Sequence, residues 1–386
     1  VSGWERANWF LPRAEQERGL KPRYEYSWKR QNWFDYSAQE HLAVRERVGM
    51  FDMSSFGKIR VVGRDAEAVL QRIAANDVAV EPGKIVYTQF LNEAGRIEAD
   101  VTVSRLSSDE FLVVTPAATV RRDLHWINGH IPDDAHAFAM DVTAGEAVLV
   151  VMGPQARDFL APMIPQSLSN EAFPFGTMQT IEIGHAVARA HRVTCVGELG
   201  WELYVSADMA NHVFDTIAAR AEDHPLQLCG LHALDSCRIE KAFRHFGHDI
   251  SNEDHVLEAG LGFAVKETKQ AGRFGPMIGC DAVKAKRNDG LSQRLMQFRL
   301  KDPDPLLYHN EAILRDGELV GYLTSGNYGH YLGGAIGLGY VKCGAAGESA
   351  NDQLSSSYSI DVAGKIIEAD VSFRPMYDPK AAQVRL

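Results

Sequence analysis

The chain has 386 residues, 45% of them hydrophobic, which is enough to build more than one packed core. Lys and Arg total 40 against 51 Asp and Glu, so the formal net charge is −11. An acidic surface repels phosphate backbones, and we expect no nucleic-acid partner. The five cysteines are scattered and form no Cys-x-x-Cys pair, which favours a reducing cytoplasmic or matrix compartment. No apolar run has the length of a signal-peptide core or a membrane span, so no membrane association is expected.

A strand, turn and helix unit occurs twice. Residues 58–63 are typical of a strand, and residues 64–77 follow with apolar side chains at helical spacing, namely Ala66, Val69, Leu70 and Ile73. Residues 146–160 repeat this order, with a strand that ends at Gly153 and a helix after it. The repetition predicts two related α+β units.

Further mixed elements surround these units. Residues 85–106 predict a β-hairpin, since two β-rich runs flank the turn-forming residues 92–95. Other strands and a helix are expected at 111–119, 180–194, 201–206 and 210–223. Strands and helices alternate too irregularly for a doubly wound sheet.

The pattern changes after about residue 290. Short β-like runs with frequent glycine follow one another, at 295–300, 318–326, 335–342 and 368–373. They predict a small C-terminal β-barrel. The glycine-rich run 333–339 has no helix behind it, so it predicts close strand contacts in the barrel and no dinucleotide site.

Candidate site residues are few. Asp100 opens a strand in which Thr102 and Ser104 share its face, while Val101 and Val103 share the other. Tyr87 lies on the opposite arm of the hairpin, where it could approach Asp100. A solvated aspartate is the alternative.

Two more segments carry candidate ligand contacts. Glu198 and Glu202 lie four apart around a glycine-rich turn, and either could accept hydrogen bonds from a ligand or remain a solvated loop carboxylate. Arg238, on a predicted helix over 235–243, could bind an anion, or pair with Asp235 or Glu240.

A His and Asp cluster that spans residues 245–255 could in principle bind a metal ion. Gly247 and the polar residues after it are typical of a helix end, where a histidine can stabilise the last carbonyls. We therefore predict no metal.

Taken together, the segments resemble the glycine-cleavage aminomethyltransferase (T-protein) family, and more closely the folate-binding C-terminal part of dimethylglycine and sarcosine dehydrogenases. The resemblance covers nearly the whole chain. It rests on ordered motifs: GWERANWF, FDMSSFGKIRVVG, YTQFLNEAGRIEADVTV, VGELGWELYV, LDSCRIEKAFRHFG, LEAGLGFAVK, VGYLTSGNYGHYLGGAIGLGYV and SFRPMYDP.

The resemblance implies an α+β fold with three lobes in a ring around a central folate channel. The first α+β lobe would comprise residues 1–50 and 145–240, and the second 51–144 and 241–285. The antiparallel β-barrel would comprise residues 286–386.

The resemblance also implies roles for single residues, with tetrahydrofolate as cofactor. Asp100 would be catalytic, beside the folate nitrogens that receive the carbon. The cofactor-binding residues would be Tyr87, Glu198, Arg238, Phe56, Val114 and Thr115. Arg96, Pro116 and Cys195 depart from the family pattern, which affects pocket details more than the fold.

Three functions follow as hypotheses. The first is a transferase that forms 5,10-methylenetetrahydrofolate from an N-methyl amine oxidised by a flavoprotein subunit or by a region outside this sequence, since no flavin fingerprint is present. The second is direct demethylation of a methylated sulfonium or amine, similar to dimethylsulfoniopropionate demethylases, giving 5-methyltetrahydrofolate. The third is a folate-binding subunit without catalysis.

Overall fold

The computed structural model describes residues 3–27, 29–344 and 348–386. The helices are α1 (Arg13–Glu17), α2 (Phe34–Glu46), α3 (Ala66–Ile73), α4 (Val120–Gly129), α5 (Ala156–Leu160), α6 (Ala210–Arg220), α7 (Leu231–Glu240), α8 (Cys280–Asp289) and α9 (Ala350–Leu354). The strands before the barrel are β1 (Gly49–Asp52), β2 (Gly57–Val62), β3 (Ile85–Leu91), β4 (Ile97–Arg105), β5 (Glu110–Thr115), β6 (Phe138–Asp141), β7 (Glu146–Met152), β8 (Met178–Ile183), β9 (Ala186–His191), β10 (Gly200–Ser206) and β11 (Gln227–Leu228). The barrel strands are β12 (Gln293–Leu300), β13 (Ala312–Arg315), β14 (Glu318–Gly329), β15 (Gly334–Lys342), β16 (Tyr358–Val362) and β17 (Lys365–Ser372).

Two sheets and one barrel organise the described residues. The first sheet has the order β11-β1-β7-β10-β9-β8, and the second has the order β3-β4-β5-β2-β6. The barrel closes in the order β12-β15-β14-β13-β16-β17, with antiparallel pairing throughout. The predicted fold class, two α+β lobes followed by an antiparallel β-barrel, is confirmed. The residue boundaries of the lobes stay predictions, and β1 crosses the one placed at residue 50.

The repeated strand, turn and helix unit uses the same turn in both sheets. Gly63 and Gly153 follow β2 and β7 with φ angles of +131° and +140°, in the region that favours glycine. A Cβ on either would lie 2.2 or 2.4 Å from a backbone carbonyl oxygen, that of His136 or Arg47. Each turn therefore needs glycine for both its angle and its space.

Each sheet buries one face against its own helices. The second sheet packs Val101, Val103 and Val113 against α3 and α4, and the first packs Leu149, Trp201 and Leu203 against α5 and α6. Burial of such apolar surface is the main stabilising contribution of each lobe.

The opposite faces of the two sheets meet in a third cluster, which we call the central apolar cluster. It contains Leu112 and Val114 from β5, Val148 and Val150 from β7, and Tyr204 from β10. The two lobes are thus joined face to face through this cluster.

The glycines of β15 allow close strand contacts, as predicted. A Cβ on Gly337 would lie 2.8 Å from the Ser325 carbonyl oxygen, and one on Gly339 would lie 2.7 Å from that of Tyr322. Among the described residues, no helix combines the length and apolar character needed to cross a bilayer.

Arg238 joins α7 to the barrel. Its guanidinium bonds Asp235 and Ser325 at 2.8 and 2.9 Å, the Phe243 carbonyl oxygen at 3.1 Å, and the buried carboxylate of Asp249. These contacts occupy the donors of its planar fork. The pairing with Asp235, left open by the sequence, is the one observed.

Replacing Arg238 with alanine should lower the free energy of unfolding by about 3–5 kcal/mol, because Asp249 would stay buried without its counter-charge. Arg299→Ala is the control: its 2.7 Å ion pair with Asp370 is 37% and 42% exposed, so its loss should cost about 0–1 kcal/mol. Urea denaturation measures both. If Arg238→Ala kept its stability but lost anion binding, the role implied by the resemblance would be favoured.

Candidate active site

The turn of the β3–β4 hairpin is specified locally. The Asn92 side-chain oxygen accepts hydrogen bonds from the Ala94 and Arg96 amides at 3.0 and 3.2 Å, and Gly95 adopts a φ of +72°. At the end of β3, just before this turn, a bulge shifts the register between Phe90 and Leu91. The turn and the bulge together set which residues face one another across the hairpin.

Gln89, not Tyr87, pairs directly with Asp100. The Gln89 amide nitrogen donates to Asp100 Oδ1 at 2.8 Å. Tyr87 pairs with Thr102, which in turn pairs with Val114. Because paired residues share a face, Asp100 and these residues all lie on the inner face of the second sheet.

Asp100 is half-buried among polar groups. Burial raises its pKa to about 6, while hydrogen bonds from Gln89 and Tyr87 and the Arg244 charge oppose the rise. The same burial raises the pKa of Tyr87 well above its usual value, so its hydroxyl stays protonated. Asp100 can therefore exchange a proton near neutral pH, next to a neutral donor.

Arg244 supplies the positive charge near this site. Its Nε and Nη1 donate to the carbonyl oxygens of Ala259 and Ala242 at 2.9 and 2.8 Å, which fix the guanidinium. Phe263 is 73% exposed and stacks on Tyr87 with ring centroids 6.2 Å apart. Neither residue was predicted. Arg244 lies in the motif LDSCRIEKAFRHFG, but no sequence pattern indicates that its guanidinium would bond the carbonyl oxygens of residues 242 and 259.

Glu198 lies in the first lobe, in the turn before β10. Gly197 has a φ of +90°, and its amide donates to Thr194 Oγ1 at 2.9 Å. The Glu198 side chain is buried, and its Oε1 accepts from Arg45 at 2.8 Å and from the Tyr377 hydroxyl at 2.5 Å. Its Oε2 is buried without a hydrogen-bond partner among the described residues.

Arg45 and Glu240 extend these contacts. We call the connected residues, Glu198, Arg45, Glu240, His41 and Tyr377, the Glu198 network. Glu240 Oε2 accepts from Arg45 Nε at 3.0 Å and contacts His41 Nε2 at 3.1 Å. Sequence reasoning missed all of these partners. They come from α2, α7 and the C-terminal segment, and only the fold brings them together.

The remaining predicted residues divide into two sets. Phe56 and Val114 both belong to the central apolar cluster, where Cys195 also packs. Thr115 is buried and its hydroxyl bonds Asp123 and Thr119, so it supports the start of α4.

A cavity of about 500 Å³ lies beside the segment that contains Phe56. It is lined by Ser55, Ala117, Val120 and Arg121 among others.

The side chains of the His and Asp cluster at residues 245–255 contact one another and Arg238. The rings of His245 and His248 stack with centroids 4.6 Å apart, and Asp249 is engaged by Arg238. Across the described ranges, no three His, Cys, Asp or Glu side chains are grouped to hold a metal ion.

The chain has clear relatives. The GCVT N-terminal domain model matches residues 1–269, and the glycine cleavage T-protein C-terminal barrel domain model matches residues 293–378. The chain is 42% identical over its full length to 4-methylaminobutanoate oxidase (formaldehyde-forming) of Paenarthrobacter nicotinovorans, and 31% identical over 99% to mitochondrial sarcosine dehydrogenase of Mus musculus. It spans 45% of the length of each of these two proteins.

Relatives of similar length are also found. The aminomethyltransferase of Geobacillus kaustophilus is 32% identical over 88% of this chain and 90% of its own length. The fold matches that of the glycine cleavage system aminomethyltransferase T from Bartonella henselae, with a TM-score of 0.77 and 22% identity over 96% and 98% of the two chains. The chain belongs to the glycine cleavage T-protein (aminomethyltransferase) family.

Proposed function

We propose that the chain binds tetrahydrofolate against the inner faces of its two sheets and forms 5,10-methylenetetrahydrofolate. The carbon would come from an N-methyl amine oxidised by a flavoprotein region or subunit. The observation that carries this proposal is Asp100, a half-buried carboxylate with a pKa of about 6 on the inner face of the second sheet. Raised carboxylate pKa values of this kind are typical of groups that exchange protons in catalysis.

The residues fit a reduced pterin. Such a ring carries N–H donors, and Glu198 Oε2 is a buried acceptor without a partner among the described residues. A buried acceptor left unpaired costs about 1–3 kcal/mol, so a ligand donor there would be favourable. Phe56 and Val114 offer apolar contact, and Asp100 with Tyr87 offers a polar end.

Tetrahydrofolate, when bound, supplies the nucleophilic nitrogens that capture a one-carbon unit. Asp100 would accept or return a proton and would stabilise positive charge that develops beside it. Gln89 fixes Oδ1 of Asp100, and Tyr87 holds a proton that it can donate in a hydrogen bond. In this scheme Arg238 supports the fold and does not donate to the cofactor directly, since its guanidinium donors already bond protein groups.

The donor and partner are inferred from the relatives. An oxidase of 4-methylaminobutanoate and a sarcosine dehydrogenase each exceed twice the length of this chain. We infer that the remaining part of such proteins performs the oxidation and that this chain receives the carbon.

The cellular location is a separate inference. The structure leaves five cysteines free of disulfides, which supports the proposed cytoplasmic location: Cys195, Cys229, Cys237, Cys280 and Cys343.

Asp100→Asn should lower the rate of folate-dependent carbon transfer by about 10²- to 10³-fold. In the unaltered protein the rate should rise with pH through about 6, as Asp100 ionises, and the variant should lose this step. Asp109→Asn, at an exposed position in the loop between β4 and β5, is the control. Single-turnover assays across pH 5–8 measure the effect, and full transfer by Asp100→Asn would refute the role.

The same substitution should stabilise the protein. Because the pKa of Asp100 is raised on folding, its ionisation opposes folding above about pH 6 and has no effect below about pH 4. Thermal unfolding of Asp100→Asn should therefore show a higher Tm than the unaltered protein at pH 8, and the gain should shrink as the pH falls.

A product experiment distinguishes the proposed function from its alternatives. Tetrahydrofolate and a ¹³C-methyl amine, supplied with an amine-oxidising flavoprotein, should yield labelled 5,10-methylenetetrahydrofolate by mass spectrometry. Labelled 5-methyltetrahydrofolate from a methylated sulfonium or amine, without any flavoprotein, would instead show direct demethylation. Folate binding by calorimetry with no labelled folate from any donor would indicate a non-catalytic binding subunit.

A further inference from the structure

The two oxygens of Glu198 differ in their surroundings. Oε1 accepts two hydrogen bonds, from Arg45 Nη1 at 2.8 Å and from the Tyr377 hydroxyl at 2.5 Å, while Oε2 accepts none from the described residues. A carboxylate that is free to rotate can accept hydrogen bonds through either oxygen. Here two donors from different parts of the fold converge on one oxygen and fix the side-chain orientation.

Tyr377 belongs to the C-terminal segment that follows the last barrel strand. This segment is held against α7 by a backbone bond from the Tyr377 amide to the Glu240 carbonyl oxygen at 3.2 Å, and by an ion pair from Lys241 to Asp378 at 2.8 Å. The Met376 amide donates to the buried Gln297 side chain at 2.8 Å. The position of the Tyr377 ring is therefore set by the barrel and α7 together.

The ring of Tyr377 also packs against Arg45. The guanidinium carbon lies 3.9 Å from the ring centroid, a cation–π contact in a buried site. One side chain thus holds both Glu198 and the arginine that binds Glu198. Burial raises the pKa of the Tyr377 hydroxyl well above its usual value, so it remains a donor at physiological pH.

We propose that Tyr377 is a positioning residue for cofactor recognition, which orients Glu198 so that Oε2 alone accepts an N–H of a reduced pterin. This inference rests on the proposed function and refines it. Because both hydrogen bonds from the protein go to Oε1, the pterin ring is recognised through Oε2 alone and not by both carboxylate oxygens together. The barrel, through its C-terminal segment, then determines the pterin preference of a site in the first lobe.

The test is a double-mutant cycle with tetrahydrofolate, read by calorimetric titration. Tyr377→Phe removes one hydrogen bond and should weaken binding by about 3- to 10-fold. Glu198→Gln should weaken binding further, by about 10- to 100-fold, because its amide oxygen would face the two donors and leave an N–H towards the pterin. Adding Tyr377→Phe to Glu198→Gln should cause little further loss.

Two controls separate positioning from general destabilisation. Tyr358→Phe removes another buried tyrosine hydroxyl, bonded to the Gln353 carbonyl oxygen at 3.0 Å within the barrel, and should leave folate affinity unchanged. A 2-desamino analogue of tetrahydrofolate, which lacks one donor of the pterin, should show a smaller effect of Tyr377→Phe than tetrahydrofolate does.

The outcomes are distinct. Unchanged affinity of Tyr377→Phe, or an equal loss in the Glu198→Gln background, would overturn the positioning role while the proposed function stands. If Tyr377→Phe does not fold, Asp378→Asn, which loosens the same segment through Lys241, should give the same selective loss, and its absence would also overturn the role. No binding of tetrahydrofolate by the unaltered protein would overturn the proposed function itself.

Discussion

The hydrogen bonds and ion pairs of the buried Arg45 guanidinium join α2 to α7 and to the turn before β10. Its donors bond Glu198, Glu240 and the carbonyl oxygens of Val196 and Cys237, at 2.8 to 3.0 Å. These partners come from the turn before β10 and from α7, while Arg45 itself lies on α2. A buried charge is stabilising only when its partners are complete, so the elements around Arg45 must assemble together.

A second cation reinforces this requirement. Burial by itself would lower the pKa of His41, but the neighbouring Cys237 and the hydrogen bond to Glu240 raise it to about 9. Burial likewise acts to raise the pKa of Glu240, yet His41 and Arg45 hold it below its usual value. The network therefore contains two cations against the carboxyl groups of Glu198 and Glu240. Glu198 shares Arg45 with Glu240, and its Oε2 has no partner in the part of the chain that the structure describes.

Much of the fold follows from local pattern. The alternation in residues 100–104 correctly separated the apolar face of β4 from the face of Asp100, since a strand turns successive side chains to opposite sides. The two strand, turn and helix units were visible because both need glycine at the same turn. Strands β13 and β16 were missed because they have only four and five residues, and the alternation of Tyr358, Ile360 and Val362 in β16 is too short to stand out.

The site was less accessible to sequence reasoning. Tyr87 approaches Asp100 as the spacing predicted, but Gln89, its direct cross-strand partner, was not predicted, because the register depends on a bulge that leaves no clear sequence signal. Arg45 and Glu198 are 153 positions apart, and Tyr377 is 179 positions from Glu198. Such pairings depend on how complete lobes meet, which neither spacing nor periodicity can indicate.

The two acidic residues, one from each lobe, both lie near the central apolar cluster. Asp100 shares the inner face of the second sheet with Val114, and Glu198 lies two residues after Val196, which packs in the same cluster. A ligand that satisfied both carboxyl groups would need donors or positive charge towards each lobe and apolar surface against the cluster. A reduced pterin, a bicyclic ring that carries N–H groups, offers both, and this match supports the ligand proposed above.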